Sequence, residues 1–127
     1  MEHTFLTVAD VEAIHEEVLK HSGGSAGIRD RGALESAVHR PQFGYYADLI
    51  EEAAALLESL TMNHPFVDGN KRTALASVET FLDYNDYTIS AGSHEIFDFF
   101  MKNLKTNTFR FPVILEWLRE VVISQKR

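Results

Sequence analysis

The sequence predicts an all-α, single-domain protein of about six helices, spanning residues 1–127, with one chemically dense loop between two central helices. Three observations carry this expectation. Apolar residues recur with the 3.6-residue period of a helix face in most of the chain, and these periodic stretches open on residues that cap helices or close on Gly or Pro. Extended character is confined to a short piece around Tyr87 to Ile89. No repeat, low-complexity tract or Gly/Ser linker offers a domain boundary, and 127 residues, 45% of them apolar, suffice for one buried core.

Taken in order, Thr7 and Asp10 form a helix start, and Val8, Val11, Ile14, Val18 and Leu19 a stripe. Gly23-Gly24 ends this first helix, expected at about Val8 to His21. Asp30 caps a second, short helix through Ala33, Leu34, Ala37 and Val38, which Pro41 stops. The run Gln42-Phe43-Gly44-Tyr45-Tyr46 is aromatic without helical period and is expected to be an ordered loop lining a cleft. Asp48 with Glu51 caps a third helix carrying Ile50, Ala53, Ala54, Leu56, Leu57 and Leu60. It is apolar over more than half its circumference and therefore central. After Pro65–Gly69 a fourth helix begins near Asn70 and runs through Ala74, Leu75, Val78, Phe81 and Leu82 to about Tyr84. Ser93 is read as the cap of a fifth helix with Ile96, Phe97, Phe100 and Leu104. Thr108 is read as the start of the last, with Pro112 in its first turns.

Nineteen acidic against 12 basic side chains give a formal charge of −7, the wrong sign for a counterion-displacing nucleic-acid surface, so no nucleic-acid partner is expected. The absence of cysteine excludes disulfides and thiolate zinc sites and suits the cytoplasm. Met1 to Thr7 lack the basic region and apolar core of a signal peptide. Phe109 to Ile123, interrupted by Arg110, Glu116, Arg119 and Glu120, falls short of the roughly 20 apolar residues that span a bilayer, so no membrane partner is expected either.

The chemistry is concentrated in His64-Pro65-Phe66-Val67-Asp68-Gly69-Asn70-Lys71-Arg72-Thr73-Ala74. Gly69 permits a turn that points successive N–H groups into one concavity, and a helix starting near Asn70 adds its positive end. Lys71 and Arg72 bring full charges to that anion site, which suits a polyphosphate. Asp68 stands just before it, where one carboxylate can hold a Mg²⁺ that also bridges phosphate oxygens. An imidazole at His64 can take a proton from an attacking hydroxyl at neutral pH. Phe66 is expected to be buried as the anchor of the loop. Caps alone account for Asp, Asn and Gly here, but a cap has no use for Lys-Arg and an adjoining histidine.

This run resembles the signature of the Fic/Doc family, in the form of its Doc toxin branch, where lysine follows the Gly-Asn pair. The stretch Gly27 to Pro41, GIRDRGALESAVHRP, resembles the same branch. The resemblance implies a Fic-type helical fold in which the loop binds nucleotide phosphates. His64 acts as base, Asp68 binds Mg²⁺, and Gly69, Asn70, Lys71 and Arg72 form the anion site, with Lys71 a catalytic residue beside His64 and Asp68.

Two departures from the AMP-transferring pattern HPFx(D/E)GNGRxxR bear on the reaction. Lys71 stands in place of its second glycine, and Leu75 in place of its second arginine. The lysine fills space that phosphates otherwise occupy, and the resemblance then implies a reversed nucleotide with its terminal phosphate presented for transfer. The expected activity is that of a toxin that phosphorylates a Ser/Thr hydroxyl of elongation factor Tu with ATP and Mg²⁺ and arrests translation. The alternatives are AMP transfer by the same site and a catalytically silent interaction module. Ala76, where a close relative can carry a polar residue, removes a supporting contact.

No Ser or Thr is followed four positions later by Glu, so the self-inhibitory (S/T)xxxE(G/N) motif is absent. The resemblance instead implies restraint by a small Phd-type antitoxin, bound as a helix in a surface groove to which Phe43, Tyr45 and Tyr46 are candidate contributors. An RNA-cleaving helical arrangement needs an arginine four to six residues before a histidine, and Arg31 to His39 is too wide. His3, His15, His21, His39 and His94 are read as surface or capping residues. Arg29, Asp30 and Glu35 are read as an ion-paired scaffold.

Overall fold

The computed structural model describes residues 3–125. The expectation about a signal peptide at the N-terminus falls, for Met1 and Glu2, outside the described residues. Helices α1 (Val8–Ser22), α2 (Arg31–His39), α3 (Leu49–Met62), α4 (Asn70–Tyr84), α5 (Ser93–Lys105) and α6 (Phe111–Val121) account for most of the chain. Strands β1 (Tyr87–Ile89) and β2 (Val122–Ser124) form a small antiparallel pair. The expected all-α class holds, with this ribbon as the addition.

Local chemistry explains the helix starts. Thr7 and Asp10 exchange reciprocal side-chain bonds to each other's backbone N–H, a complete capping box. Asp30 and Asp48 each accept the N–H three residues on, from Ala33 and Glu51. Two expected starts are displaced. Gly92, not Ser93, caps α5, through its backbone carbonyl, which accepts the Ile96 N–H. The last helix begins at Phe111 with Arg110 as cap, because Thr108 is used to close α5: its N–H bonds the Asn103 carbonyl and its hydroxyl donates to Asn103 Oδ1. Pro41 does not end the chain's helical course abruptly either; it sits inside a single 3₁₀ turn, Arg40–Gln42.

Helix α3 is central as expected. Ala53, Ala54, Ala55, Leu56 and Leu57 are all buried, so it is covered on every side, with α2, α4 and α6 packed around it. Helix α1 packs on α4, and α5 joins through aromatic contacts, Phe99 stacking on Trp117 of α6 at 4.2 Å. Strand β2 pairs Ile123 with Thr88, which fastens the end of α6 to the strand that follows α4. The consequence for function is rigidity: residues 63–69 are a loop between two helices whose inner faces form the core. Among the described residues no helix is long and apolar enough to cross a membrane.

Candidate functional site

The second residue of the loop has a left-handed backbone. His64 has φ +47°, a region uncommon outside Gly though one that His, Asn and Asp adopt more often than other residues. Arg29 holds it there: Nε donates to the His64 carbonyl at 2.6 Å and an Nη to the Asn63 carbonyl at 2.9 Å. The backbone N–H groups of Arg29 and Asp30 both reach the Pro65 carbonyl, and Val67 N–H reaches the Gly27 carbonyl. The segment after α1 thus lies along the loop like a short strand, with Ile28 bridged to Phe66. Arg29 is scaffold as expected, although it works on carbonyls and not through an ion pair. Asp30 caps α2, and Glu35 pairs with Arg31.

Phe66 is the anchor expected of it, 1% exposed, its ring flat against that of His15 at 3.8 Å. Asn70 tightens the turn further. Its Oδ1 accepts the Phe66 N–H and its Nδ2 donates to the Phe66 carbonyl, both at 2.9 Å. The side-chain amide is therefore spent on the loop, and what Asn70 offers an anion is its backbone N–H. Gly69 adopts the left-handed conformation, φ +76°, that the turn requires, and it caps α4 with no side-chain bond. The Thr73 N–H is the first to return into the helix, to the Gly69 carbonyl. The N–H groups of Asn70, Lys71 and Arg72 are the ones a helix leaves unpaired at its start, and here no side-chain cap takes them.

Asp68 is exposed, and its carboxylate accepts two backbone N–H bonds, from Ser25 at 3.1 Å and Gly69 at 2.9 Å. These bonds, Ser25 first and Gly69 second, hold its pKa below the ordinary carboxylate value against the cost of desolvation, and His15 and Arg72 add smaller pulls in the same direction as the bonds. The lowered pKa keeps the carboxylate ionised at neutral pH, and each oxygen keeps a lone pair free for a hard cation. Among the described residues no group of three or more His, Cys, Asp or Glu could enclose a metal. A Mg²⁺ at Asp68 would complete its shell with phosphate oxygens and water, the usual habit of that ion.

His64, Asp68, Gly69, Asn70, Lys71 and Arg72 line one cavity of about 570 Å³, whose far wall is the end of α1 and Gly23-Gly24. Every site residue expected from the sequence except the buried Phe66 thus faces a common space. Lys71 and Arg72 make no ion pair with another described residue, leaving two full charges beside the free amides. The aromatic loop is elsewhere. Phe43 and Tyr45 are exposed and lean on each other, and Tyr46 packs on Phe111 and takes a hydrogen bond from Arg40, so none of them lines this cavity. The composition of the run is what a surface corner over Arg40 requires, and it carried no information about which cleft lay near.

Three contributors were not legible as site residues. His15 is buried, not a surface or capping group as His21, His39 and His94 are, and His3 too is half-buried, its ring bonded to Glu52. Its position between Val11 and Leu19 on the apolar stripe was the available signal. Ser25 bonds Asp68 through its backbone, for which no side-chain signal exists. Gly24 does more than end α1: at φ +118°, a Cβ there would lie 2.8 Å from Asp68 Oδ2 and 3.1 Å from Leu19 Cδ2. Gly24→Ala is expected to cost about 1–3 kcal/mol of stability through backbone strain and crowding. It should also return the Asp68 pKa toward the ordinary value by pulling the carboxylate off the Ser25 N–H. Urea denaturation and NMR titration of the Asp68 carboxyl check the two effects.

The fold and cavity define a class: a helical domain that presents an imidazole, a carboxylate and an uncapped helix start bearing two cations in one loop. The chain belongs to the Fic/DOC family, which it matches over residues 5–82. It is similar to a protein named Toxin Doc from Mycolicibacterium smegmatis, 50% identical over 74 residues that span 54% of this chain and 57% of that protein. It is also similar to a protein named Protein kinase doc from Escherichia phage P1, 33% identical over 99 residues spanning 66% of this chain and 79% of that one. The match thus covers little more than half the length of the first relative.

Proposed function

We propose that this chain is a cytoplasmic toxin acting as a protein kinase, which moves the terminal phosphate of Mg²⁺·ATP to a Ser/Thr hydroxyl of elongation factor Tu and so arrests translation. The observation that carries this reading is the first turn of α4, where Lys71, in no ion pair with another described residue, projects from a helix start with free amides, while Leu75, one turn on, faces an apolar groove and not the cavity. Three backbone N–H groups with Lys71 and Arg72 suit the phosphate chain. Asp68 suits the metal, whose role when bound is to neutralise charge between neighbouring phosphates. His64 suits the removal of the proton from the attacking hydroxyl, since it lines the same cavity and its backbone is locked by Arg29. Phosphoryl transfer asks for positioning and charge neutralisation more than covalent help from the protein, which fits so small a kit. The names of the two relatives support the toxin and kinase parts of this reading.

Lys71 is also the residue that separates the reading from its rival, AMP transfer. Its side chain narrows the anion site on the side where a glycine would leave room, and Leu75 offers no charge to the far end of a triphosphate. Wild-type protein incubated with elongation factor Tu, Mg²⁺ and ATP should add one phosphate to the target by intact-mass spectrometry. Lys71→Gly should lose that product by about tenfold or more, the scale of one charged contact to a phosphate, and gain AMP transfer. A target unchanged by either protein would end the kinase reading.

For restraint in trans, a Phd-type antitoxin helix fits the groove between α4 and α5 better than the expected aromatic loop. Leu75, Ile96, Phe97 and Phe100 line it, Phe97 is 60% exposed, and Lys71 and Arg72 stand at its edge. An amphipathic helix with an acidic residue at that edge would cover apolar surface and compete with phosphates for the same two cations.

A further inference from the structure

The proposed reaction makes no use of His15, yet its surroundings set it apart. It is the single buried histidine among the described residues, 5% exposed, and it sits beneath the motif loop. Its ring lies parallel to that of Phe66, 8° between planes. Its Nε2 is 2.8 Å from the Asp68 carbonyl, and since a carbonyl only accepts, Nε2 carries the proton and donates. The same ring edge runs beside Gly69, 3.8 Å from where a Cβ would stand.

The group it holds is the peptide joining Asp68 to Gly69. The carbonyl of that peptide is taken by His15, and its N–H is taken by Asp68 Oδ1 at 2.9 Å. A peptide unit is planar, so fixing both polar ends fixes its rotation. Two things hang on that rotation: the direction of the Asp68 carboxylate on one side, and on the other the left-handed turn at Gly69 that aims the first amides of α4 into the cavity. Packing alone does not demand a histidine here. A phenylalanine would fill the same space against Phe66, but it has no donor for the carbonyl.

We propose that His15 is a positioning residue: through one hydrogen bond to the Asp68 carbonyl it sets the orientation of the Asp68–Gly69 peptide, and with it the aim of the metal-binding carboxylate and the phosphate-facing amides. The catalytic part of this proposal rests on the kinase reading above, whereas its geometric part is independent of any activity. His15→Phe keeps the stacked ring and removes the donor; His15→Gln returns a donor to the place of Nε2.

The experiment measures both variants in two ways, after circular dichroism has shown which of them is folded. Amide hydrogen exchange by NMR reports the Gly69 N–H against α3 core amides as an internal standard. The phosphorylation assay reports kcat and the KM for the target protein. Loss of one net hydrogen bond predicts, for His15→Phe, about tenfold faster exchange at Gly69 with α3 unchanged, and kcat about tenfold lower with the target KM unchanged. His15→Gln should restore both to within about threefold of wild type.

A purely structural histidine would instead make the two variants equal, with slower or faster exchange spread over the core and kcat per folded molecule intact. That pattern overturns the proposal, as does an unchanged Gly69 exchange rate in His15→Phe, or a Gly69 response with no change in kcat. If His15→Phe does not fold, His15→Gln decides alone: wild-type behaviour at Gly69 and in kcat supports the donor role, and loss of either refutes it. If wild-type protein transfers nothing, the kinase reading fails, and the exchange measurement still decides whether His15 holds the peptide.

Discussion

His64→Ala is expected to lower the rate of transfer to the target hydroxyl by about 100- to 10,000-fold, the usual contribution of a positioned general base. His64 is exposed and lines the cavity, and no described residue depends on its ring for a hydrogen bond, so stability should change little. Relief of the unusual φ of +47° is not available to alanine, because Arg29 and the Pro65 bonds hold the backbone and not the imidazole. The expected signature is therefore a collapse of kcat with Mg²⁺·ATP affinity and urea midpoint near those of wild type. A variant that also loses nucleotide binding would assign His64 to the phosphate cradle instead of to proton removal.

Phe66→Ala is expected to act on the other side of the loop and to destabilise the fold by about 3–5 kcal/mol, the range for removing a fully buried phenylalanine ring. That is a large part of the roughly 5–15 kcal/mol by which a domain of this size is stable. The ring is 1% exposed and stacks on His15, and its backbone is gripped by Asn70, so the void opens directly under the motif. Chemical denaturation should show the lower midpoint. Phe66→Leu should recover most of the stability and less of the activity, because leucine fills volume without restoring the flat contact with His15.

What the sequence disclosed and what it hid follow one division. Features set by neighbours in the chain were legible: the caps at Thr7, Asp30 and Asp48, the central α3, the start of α4 at Asn70 and the turn at Gly69. Where two local uses competed, the reading slipped by a residue or two. Thr108 has the chemistry of a helix cap but spends it on Asn103, and Ser93 yields to the carbonyl of Gly92. Features made by distant segments were invisible. Strand β2 looks like the tail of an apolar helix until Thr88 pairs with Ile123.

The candidate site divides in the same way. His64, Asp68, Lys71 and Arg72 were legible because their chemistry is crowded into nine residues. The bonds that shape them come from 35 to 53 positions away: Arg29 to His64, Ser25 to Asp68, His15 to Asp68. All three act on or through backbone atoms, which leave no mark in side-chain composition.

The most direct test of the central claim is to run the wild-type protein with Mg²⁺ and elongation factor Tu in two parallel reactions, one with ATP labelled in its γ-phosphate and one in its α-phosphate. The account predicts label on the target from the γ-phosphate alone. Label arriving from the α-phosphate would contradict it, since the nucleotide would then lie in the cavity the other way round and Lys71 would not direct it.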